Sequence, residues 1–231
     1  MRVKGATLIV STPQLALLLI GFIFFLMGPL FKGPPWVSLP GWLFLAMSWG
    51  TSVETDGNKL RLHDLFGRRA IEIPVEEVVE LKAVNRLTLS SLAREFPGFF
   101  LLILSVACFS LLVLLTHSTR DYSGYTALFL VSASYLLLLL LPLKREELGM
   151  LAFAVPITLG IFLWLIVPEA TDPMMVLASE IAVFFVYASQ YSREYIVLKT
   201  AREKYMVALD RSVSVDTILR TLGGRGDVQT A

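Results

Sequence analysis

Residues 97–192 contain four long apolar runs in close succession: GFFLLILSVACFSLLVLLT (98–116), GYTALFLVSASYLLLLLLPL (124–143), LGMLAFAVPITLGIFLWLIV (148–167) and PMMVLASEIAVFFVYASQY (173–191). The first three extend for about twenty residues without a charged side chain. This is the length that a helix rising 1.5 Å per residue needs to cross a hydrocarbon core of ~30 Å. These runs predict a multi-pass membrane protein, and we interpret the rest of the chain around them.

The composition supports this class. The 231-residue chain is 55% apolar and its mean hydropathy is +0.69, which is too hydrophobic for a typical water-soluble fold. The formal net charge is only +1, so the chain as a whole indicates no strongly charged partner, and we expect no nucleic acid. The single cysteine, Cys108, excludes a disulfide framework and a metal–thiolate site within the chain.

The basic residues are distributed asymmetrically along the chain. Of its 20 lysines and arginines, all but Lys32 and Arg120 fall before the first apolar run, after the last one, or in alternate connections between them. This distribution satisfies the positive-inside rule for six crossings with both termini cytoplasmic. We therefore expect a multi-pass protein of the cell membrane.

Residues 1–50 are predicted to form a transmembrane helix hairpin. The first run starts at Ala6 and is longer than the core of a signal peptide, and it lacks a small-residue cleavage site, which favours a retained helix over a cleaved signal. The second run, 34–50, is the weakest crossing because it contains Pro40 and Gly41. A re-entrant segment is the alternative, but it would place the seven basic residues of 51–97 outside.

The segments 51–97 and 193–231 carry strand patterns instead. In 51–97, Leu60 and Leu62, and then Ile71 and Ile73, alternate with polar residues, and the stretch around Val79 fits a strand or a short helix. Residues 88–97 predict a short amphipathic helix. In 193–231 the pattern predicts a β-hairpin, followed by an amphipathic helix over 214–222. Neither segment has enough strands to be stable alone.

Particular motifs in these segments resemble a known family. Asp56-Gly57, Leu60, Leu62, Gly67-Arg68-Arg69, Ile73-Pro74 and Val78-Val79 resemble the opening half of a bacterial pleckstrin-homology-like (PH-like) domain. Residues 196–198, 204–209 and 215–222 are similar to its closing half. The resemblance implies one cytoplasmic PH-like domain that is split by the four-helix block 98–192, an insertion that the usual family lacks. The alternative is two unrelated cytoplasmic extensions that pack on the helices.

The predicted fold class is therefore a mainly α membrane protein, with six transmembrane helices and a small cytoplasmic antiparallel β domain built from 51–97 and 193–231. No catalytic motif, phosphate-binding loop or metal-ligand pair stands out, since His63 and His117 lie on opposite sides in this topology. We expect no enzyme activity, no cofactor and no metal.

Two groups of residues are candidates for function. Glu180 lies roughly 10 Å into the last helix, where an acid often marks an ion or proton path. The structural alternative is a protonated carboxyl bonded to Ser132 or Ser134. The second group, which would face anionic lipid or a partner, consists of Arg68, Arg69, Arg202 and Lys204. Its alternative is ordinary positive-inside residues.

The sequence favours a non-enzymatic scaffold, assembly or interaction factor that acts through the PH-like domain. Its partners would be the lipid bilayer and another membrane protein or further copies of the chain. The alternative is a small transporter or channel component that uses Glu180.

Overall fold

A computed structural model describes residues 2–3, 6–30, 39–48, 52–56, 59–64, 67–84, 87–117, 122–141, 145–191, 193–210 and 229–230. The chain forms two compact units. The first comprises residues 1–25, 38–87 and 192–231, and its two sheets are here called the β domain. The second, here called the helical unit, comprises residues 26–37 and 88–191. The protein is thus a mixed α and β chain with two sheets.

The first sheet has four antiparallel strands in the order β1-β3-β4-β5. They are β1 (Arg2–Val3), β3 (Val53–Thr55), β4 (Lys59–Asp64) and β5 (Arg69–Pro74). The predicted alternation is confirmed, because Leu60 and Leu62 are buried while their neighbours Lys59 and Arg61 lie on the outer side. The turn into β5 uses Gly67 at φ 81°, a left-handed conformation that glycine adopts without steric cost.

The second sheet has five strands in the order β2-β8-β7-β6-β9. They are β2 (Ala6–Val10), β6 (Val78–Val84), β7 (Arg193–Thr200), β8 (Lys204–Asp210) and β9 (Gln229–Thr230). All neighbours are antiparallel except β6 and β9, which pair parallel. The stretch around Val79, for which the sequence allowed a strand or a helix, is strand β6, and it follows a single 3-10 turn at Val75–Glu77.

Strands that are far apart in sequence share one hydrophobic core. Strand β6 pairs with β7 across more than a hundred residues, with Leu81 opposite Leu198. Both sheets contribute to one cluster of buried side chains: Ala6, Leu8, Val53, Leu60, Leu62, Ile73, Leu81, Ile196, Leu198, Tyr205, Val207 and Leu209. The two polar segments therefore fold together, and each supplies strands that the other lacks.

The N-terminal residues differ from the prediction. The sequence predicted a helix that begins at Ala6, and this was wrong for residues 6–10, which form strand β2 beside β8. Ala6, Leu8 and Val10 are buried on one side of this strand, so a period of two lay within an apolar run that we interpreted as helical. The β domain is consequently built from three segments of the chain and not from two.

Helices α1 and α2 follow this strand. Helix α1 (Thr12–Leu30) is preceded by Ser11, whose hydroxyl accepts a hydrogen bond from the Gln14 amide at 3.4 Å. Helix α2 is Leu39–Met47. The rings of Phe24 and Phe44 stack at 5.8 Å, so the two helices contact each other.

The helical unit begins with α3 (Leu89–Glu95), the predicted short helix. Thr88 and Ser91 form a reciprocal capping box at its start. Four longer helices follow: α4 (Pro97–Thr116), α5 (Ser123–Leu140), α6 (Arg145–Ile166) and α7 (Pro173–Tyr191). Asp172 accepts a hydrogen bond from the Met174 amide at 2.9 Å, which confirms the predicted start of the last helix.

Successive helices of this group run antiparallel. On one side of the bundle, the last residues of α4, the first residues of α5 and the last residues of α6 form a cluster around Tyr125 and Leu163. On the other side, Leu138 near the end of α5 clusters with Ala152 of α6 and Val183 of α7. As a result, α5 and α7 run in the same direction.

Within the described residues, α4 and α5 are the two helices with both the length and the apolarity to cross a membrane. The apolar helical stretches Thr12–Phe24, Met150–Ile166 and Pro173–Val186 are shorter. The amphipathic helix predicted over 214–222 lies outside the described residues.

Candidate functional site

The predicted basic residues lie at two turns of the β domain. Arg68 and Arg69 form the turn into β5, and both are exposed. Arg202 is exposed in the tight turn between β7 and β8, which the Thr200 hydroxyl holds by accepting hydrogen bonds from the amides of residues 202 and 203. Lys204, at the start of β8, is half-buried.

One of the predicted basic residues, Arg69, acts electrostatically on the Tyr205 phenol near the start of β8. The acids Glu77 and Glu203 act on the same phenol in the opposite direction. The surface at this end of the β domain is of mixed charge, which suits a specific polar contact better than simple attraction to anionic lipid.

Tyr205 of β8 was not among the candidates predicted from the sequence. It is 6% exposed and belongs to the shared core. Burial raises the pKa of its phenol to about 12, and a hydrogen bond with the Glu203 side chain and the negative charges of Glu203 and Glu77 add to this, while Arg69 acts in the opposite direction. A tyrosine that alternates with apolar residues beside a Glu-Lys turn is the signal that pointed to it.

The outer side of the first sheet carries a ladder of charges. Glu54, Arg61 and Glu72 are direct neighbours across β3, β4 and β5. Glu72 accepts a hydrogen bond from Lys59 at 3.3 Å and forms an ion pair with Arg61 at 3.0 Å, and these two cations lower the pKa of its carboxyl. His63 lies 3.4 Å from Glu54 in the same ladder. The two Glu72 pairs are exposed, so they contribute to strand register more than to stability.

Glu180 lies on the inner side of α7. Its side chain is 8% exposed, and neither carboxylate oxygen has a hydrogen-bond partner among the described residues. Of the two serines named as its alternatives, Ser132 donates to the Leu128 carbonyl of its own helix at 2.6 Å. The Ser134 hydroxyl is fully buried and has no partner within the described part of the chain.

Two further buried polar side chains were missed. Gln14, in the first turn of α1, and Ser110 of α4 are both fully buried, and their side-chain polar atoms lack partners among the described residues. The signal was a polar residue inside an apolar run, which we weighed only for the charged Glu180. Gln14 lies on α1 and Ser110 on α4, whereas Glu180 lies on α7.

His117 and Cys108 both lie in or next to α4. His117 contacts Tyr122, with 5.0 Å between ring centroids, and its Nδ1 lies 2.8 Å from the Thr116 hydroxyl. Cys108 is exposed on α4. Among the described residues no group of three or more His, Cys, Asp or Glu side chains is arranged to hold a metal ion.

Comparisons of the chain with protein-family models, with curated proteins and with solved structures found no match. The function must therefore be argued from the two sites themselves.

Proposed function

We propose that this protein is a non-enzymatic multi-pass membrane protein that acts as a scaffold or interaction factor through its β domain. The observation that carries the proposal is the assembly of the β domain from three segments separated by helices. Two helices, α1 and α2, separate β2 from β3, and four long helices, α4 to α7, separate β6 from β7. An even number of crossings in each interval returns every strand to the same side of a membrane.

The surface of the helices supports the membrane part of this proposal. Among the described residues, all large apolar side chains that are strongly exposed, apart from Val79, lie on α1, α2 and α4 to α7. Phe162 and Leu165 of α6 and Phe185 of α7 are each more than 60% exposed. A soluble protein rarely exposes apolar patches on this scale, whereas lipid is a suitable solvent for them. The basic residues of the connections add the positive-inside bias for cytoplasmic strands.

We also propose that the β domain is a PH-like domain. Two sheets around one core, closed by the β7–β8 hairpin, are compatible with that fold, and the helix predicted over 214–222 would complete it. A small β domain held beside a bilayer, with exposed charged turns and no catalytic constellation in its described residues, suits a docking role.

The docking surface can be tested on the full chain. The tagged protein would be purified from its native membrane in mild detergent, alone and as the double variant Arg68→Glu/Arg202→Glu, which reverses two exposed turn charges outside the core. Glu169→Lys, an exposed charge reversal in the α6–α7 connection, is the matched control. We expect a stoichiometric membrane-protein partner with the wild type and the control, and its loss with the double variant.

Two results would contradict the proposal: a wild-type protein that purifies without a partner, or a partner retained equally by all three forms. Size-exclusion profiles of each form exclude unfolding as the cause of a loss.

A second candidate function is a transporter or channel component, and one observation favours it. Glu180 is buried among helices, and neither of its carboxylate oxygens has a partner in the part of the chain that the structure describes. Ionisable groups at such positions in a membrane often mark an ion or proton path. The flux of ions or protons across the membrane of liposomes that contain the wild type or Glu180→Gln tests this candidate. Equal flux in both would exclude a role for Glu180 in transport.

A further inference from the structure

Glu180 lies on the side of α7 that packs against the other helices of the helical unit. On α7, Val176, Ser179, Glu180 and Val183 lie on the side that packs against α5 and α6, whereas Leu177 and Ile181 are exposed. The Ser179 hydroxyl donates to the Met175 carbonyl of the same helix at 2.6 Å and is therefore occupied. Glu180 is the polar side chain of this inner side that has no partner within the described residues.

Helix α5 places Ser134 at the same level. Near its start, the Thr126 hydroxyl donates to the carbonyl of Ala170, just before α7, at 2.8 Å. Further along, Leu138 and Val183 belong to one buried cluster. Because the two helices run parallel, one turn back from Leu138 leads to Ser134, and one turn back from Val183 leads to Glu180. Two unpaired polar groups thus face the same layer of the bundle.

Helix α6 places Pro156 at this level. A Cβ on Gly160 would lie 2.8 Å from Val176, and the rings of Phe153 and Phe184 are 4.7 Å apart. Between these two antiparallel contacts, the residue of α6 opposite Glu180 is the buried Pro156. Proline has no N–H, so it cannot donate to the carbonyl of Ala152 one turn earlier, and Ala152 is itself fully buried.

The described parts of the neighbouring helices offer no charge to balance a carboxylate here. Helix α6 has no acidic or basic residue between Met150 and Ile166, and the titratable side chains of α5 are Tyr125 and Tyr135. An ionised carboxylate that is buried without a counter-charge or hydrogen bonds is strongly unfavourable. Neutralisation by a bound proton removes this cost.

We propose that Glu180, Ser134 and the carbonyl of Ala152 form a proton-binding site inside the helical unit. The protonated carboxyl has one donor and one acceptor: its O–H would donate to the Ala152 carbonyl, and its other oxygen would accept from the Ser134 hydroxyl. This arrangement would give partners to the Glu180 carboxyl and the Ser134 hydroxyl, which have none among the described residues, and a donor to the carbonyl that Pro156 cannot serve. The site deepens the second candidate function by naming its ligand, and it stands apart from the scaffold role.

Infrared difference spectroscopy of the full chain in lipid nanodiscs, recorded in H₂O and D₂O, tests the site. At neutral pH we expect a carbonyl-stretch band of a protonated carboxyl that shifts in D₂O, is lost in Glu180→Gln and changes frequency in Ser134→Ala. Glu169→Gln, which removes an exposed carboxyl of the same unit, should leave the band in place. Glu180→Asp keeps the chemistry if Glu180→Gln does not fold.

Two results would overturn the proposal. If Glu180 shows a carboxylate band at neutral pH in the folded protein, no proton is bound. If the protonated band is displaced by sodium or potassium ions at constant pH, the site binds a monovalent cation instead. The band reports occupancy and the liposome assay reports transport, so a proton site without flux would remove the transporter candidate while the site itself stands.

Discussion

Tyr205 and Glu180 are both buried ionisable side chains, but their neighbours differ. Tyr205 lies in the core of the β domain with Glu203 as its hydrogen-bond partner and with Glu77 and Arg69 nearby. Glu180 has no charged neighbour on the described parts of the adjoining helices. The surroundings of Tyr205 therefore keep its phenol neutral. Glu180, under the proposal above, is neutral only when it binds a proton.

Tyr205 predicts an alkaline limit to the stability of the β domain. Its pKa is about 12 in the folded chain against an ordinary value near 10.0, so the folded state holds this proton more tightly than the unfolded state does. The resulting stability is complete below pH 10 and is lost as the pH rises toward 12. Tyr205→Phe should flatten the pH dependence in this window, at a cost of about 1 kcal/mol at neutral pH for the lost hydrogen bond.

Thermal unfolding of the wild type and of Tyr205→Phe at a series of alkaline pH values checks this prediction. The ultraviolet absorbance of phenolate gives the titration directly. Parallel stability curves for the two proteins between pH 10 and 12 would show that Tyr205 does not carry the effect.

Among the elements, α6 and α7 approach each other closely at Gly160. Gly160 lies where a Cβ would come within 2.8 Å of a Val176 methyl, and valine has few ways to move because its side chain is short and branched. A glycine in a helix of a membrane bundle commonly marks such a contact. Because Gly160 and Val176 are in contact on antiparallel helices, Pro156, one turn before Gly160, lies opposite Glu180, one turn after Val176.

Gly160→Ala should therefore destabilise the helical unit by about 1–3 kcal/mol through overpacking. Val176→Ala in the same chain should restore most of the loss, because it removes the methyl groups in the way. Gly124→Ala is the control, since no heavy atom lies within 4 Å of its added Cβ, and it should be neutral or stabilising. Unfolding titrations in detergent give the three differences, and a Gly160→Ala chain as stable as the wild type would refute the close contact.

At the scale of the whole molecule, the order of elements along the chain is the main finding. The N-terminal strand, the segment after α2 and the segment after α7 all enter one β domain, so the chain leaves this domain and returns to it twice. This order gives the proposed membrane topology its sharpest consequence, because all turns of the β domain must be accessible from the same side.

Single cysteines in a Cys108→Ser background test that topology with a membrane-impermeant maleimide. Asp56→Cys and Glu203→Cys, in two turns of the β domain, should react only in inverted membrane vesicles. Glu169→Cys, exposed in the α6–α7 connection, should react only in right-side-out vesicles. Reaction of Glu169→Cys and Glu203→Cys from the same side would mean that α7 does not cross the membrane.

Local patterns in the sequence predicted much of this molecule. The helices α4 to α7, the strands around Leu62 and Ile73, the β7–β8 hairpin and the cap at Asp172 follow from periodicity, turn residues and capping chemistry, which act over a few residues. The same patterns identified Glu180, because an acid within an apolar run is visible without any structure.

Long-range packing decided the rest. Residues 6–10 lie in an apolar run that suits a helix equally well. They form a strand because pairing with the edge of β8 buries Ala6 and Leu8 in the shared core. The pairing of β6 with β7, and the level at which Ser134 and Pro156 meet Glu180, likewise depend on contacts between segments that are distant in sequence. Their energies come from surfaces that exist only after the chain has folded. The sequence by itself therefore determined most of the elements, and the tertiary structure decided the strand at 6–10 and the partners of the elements.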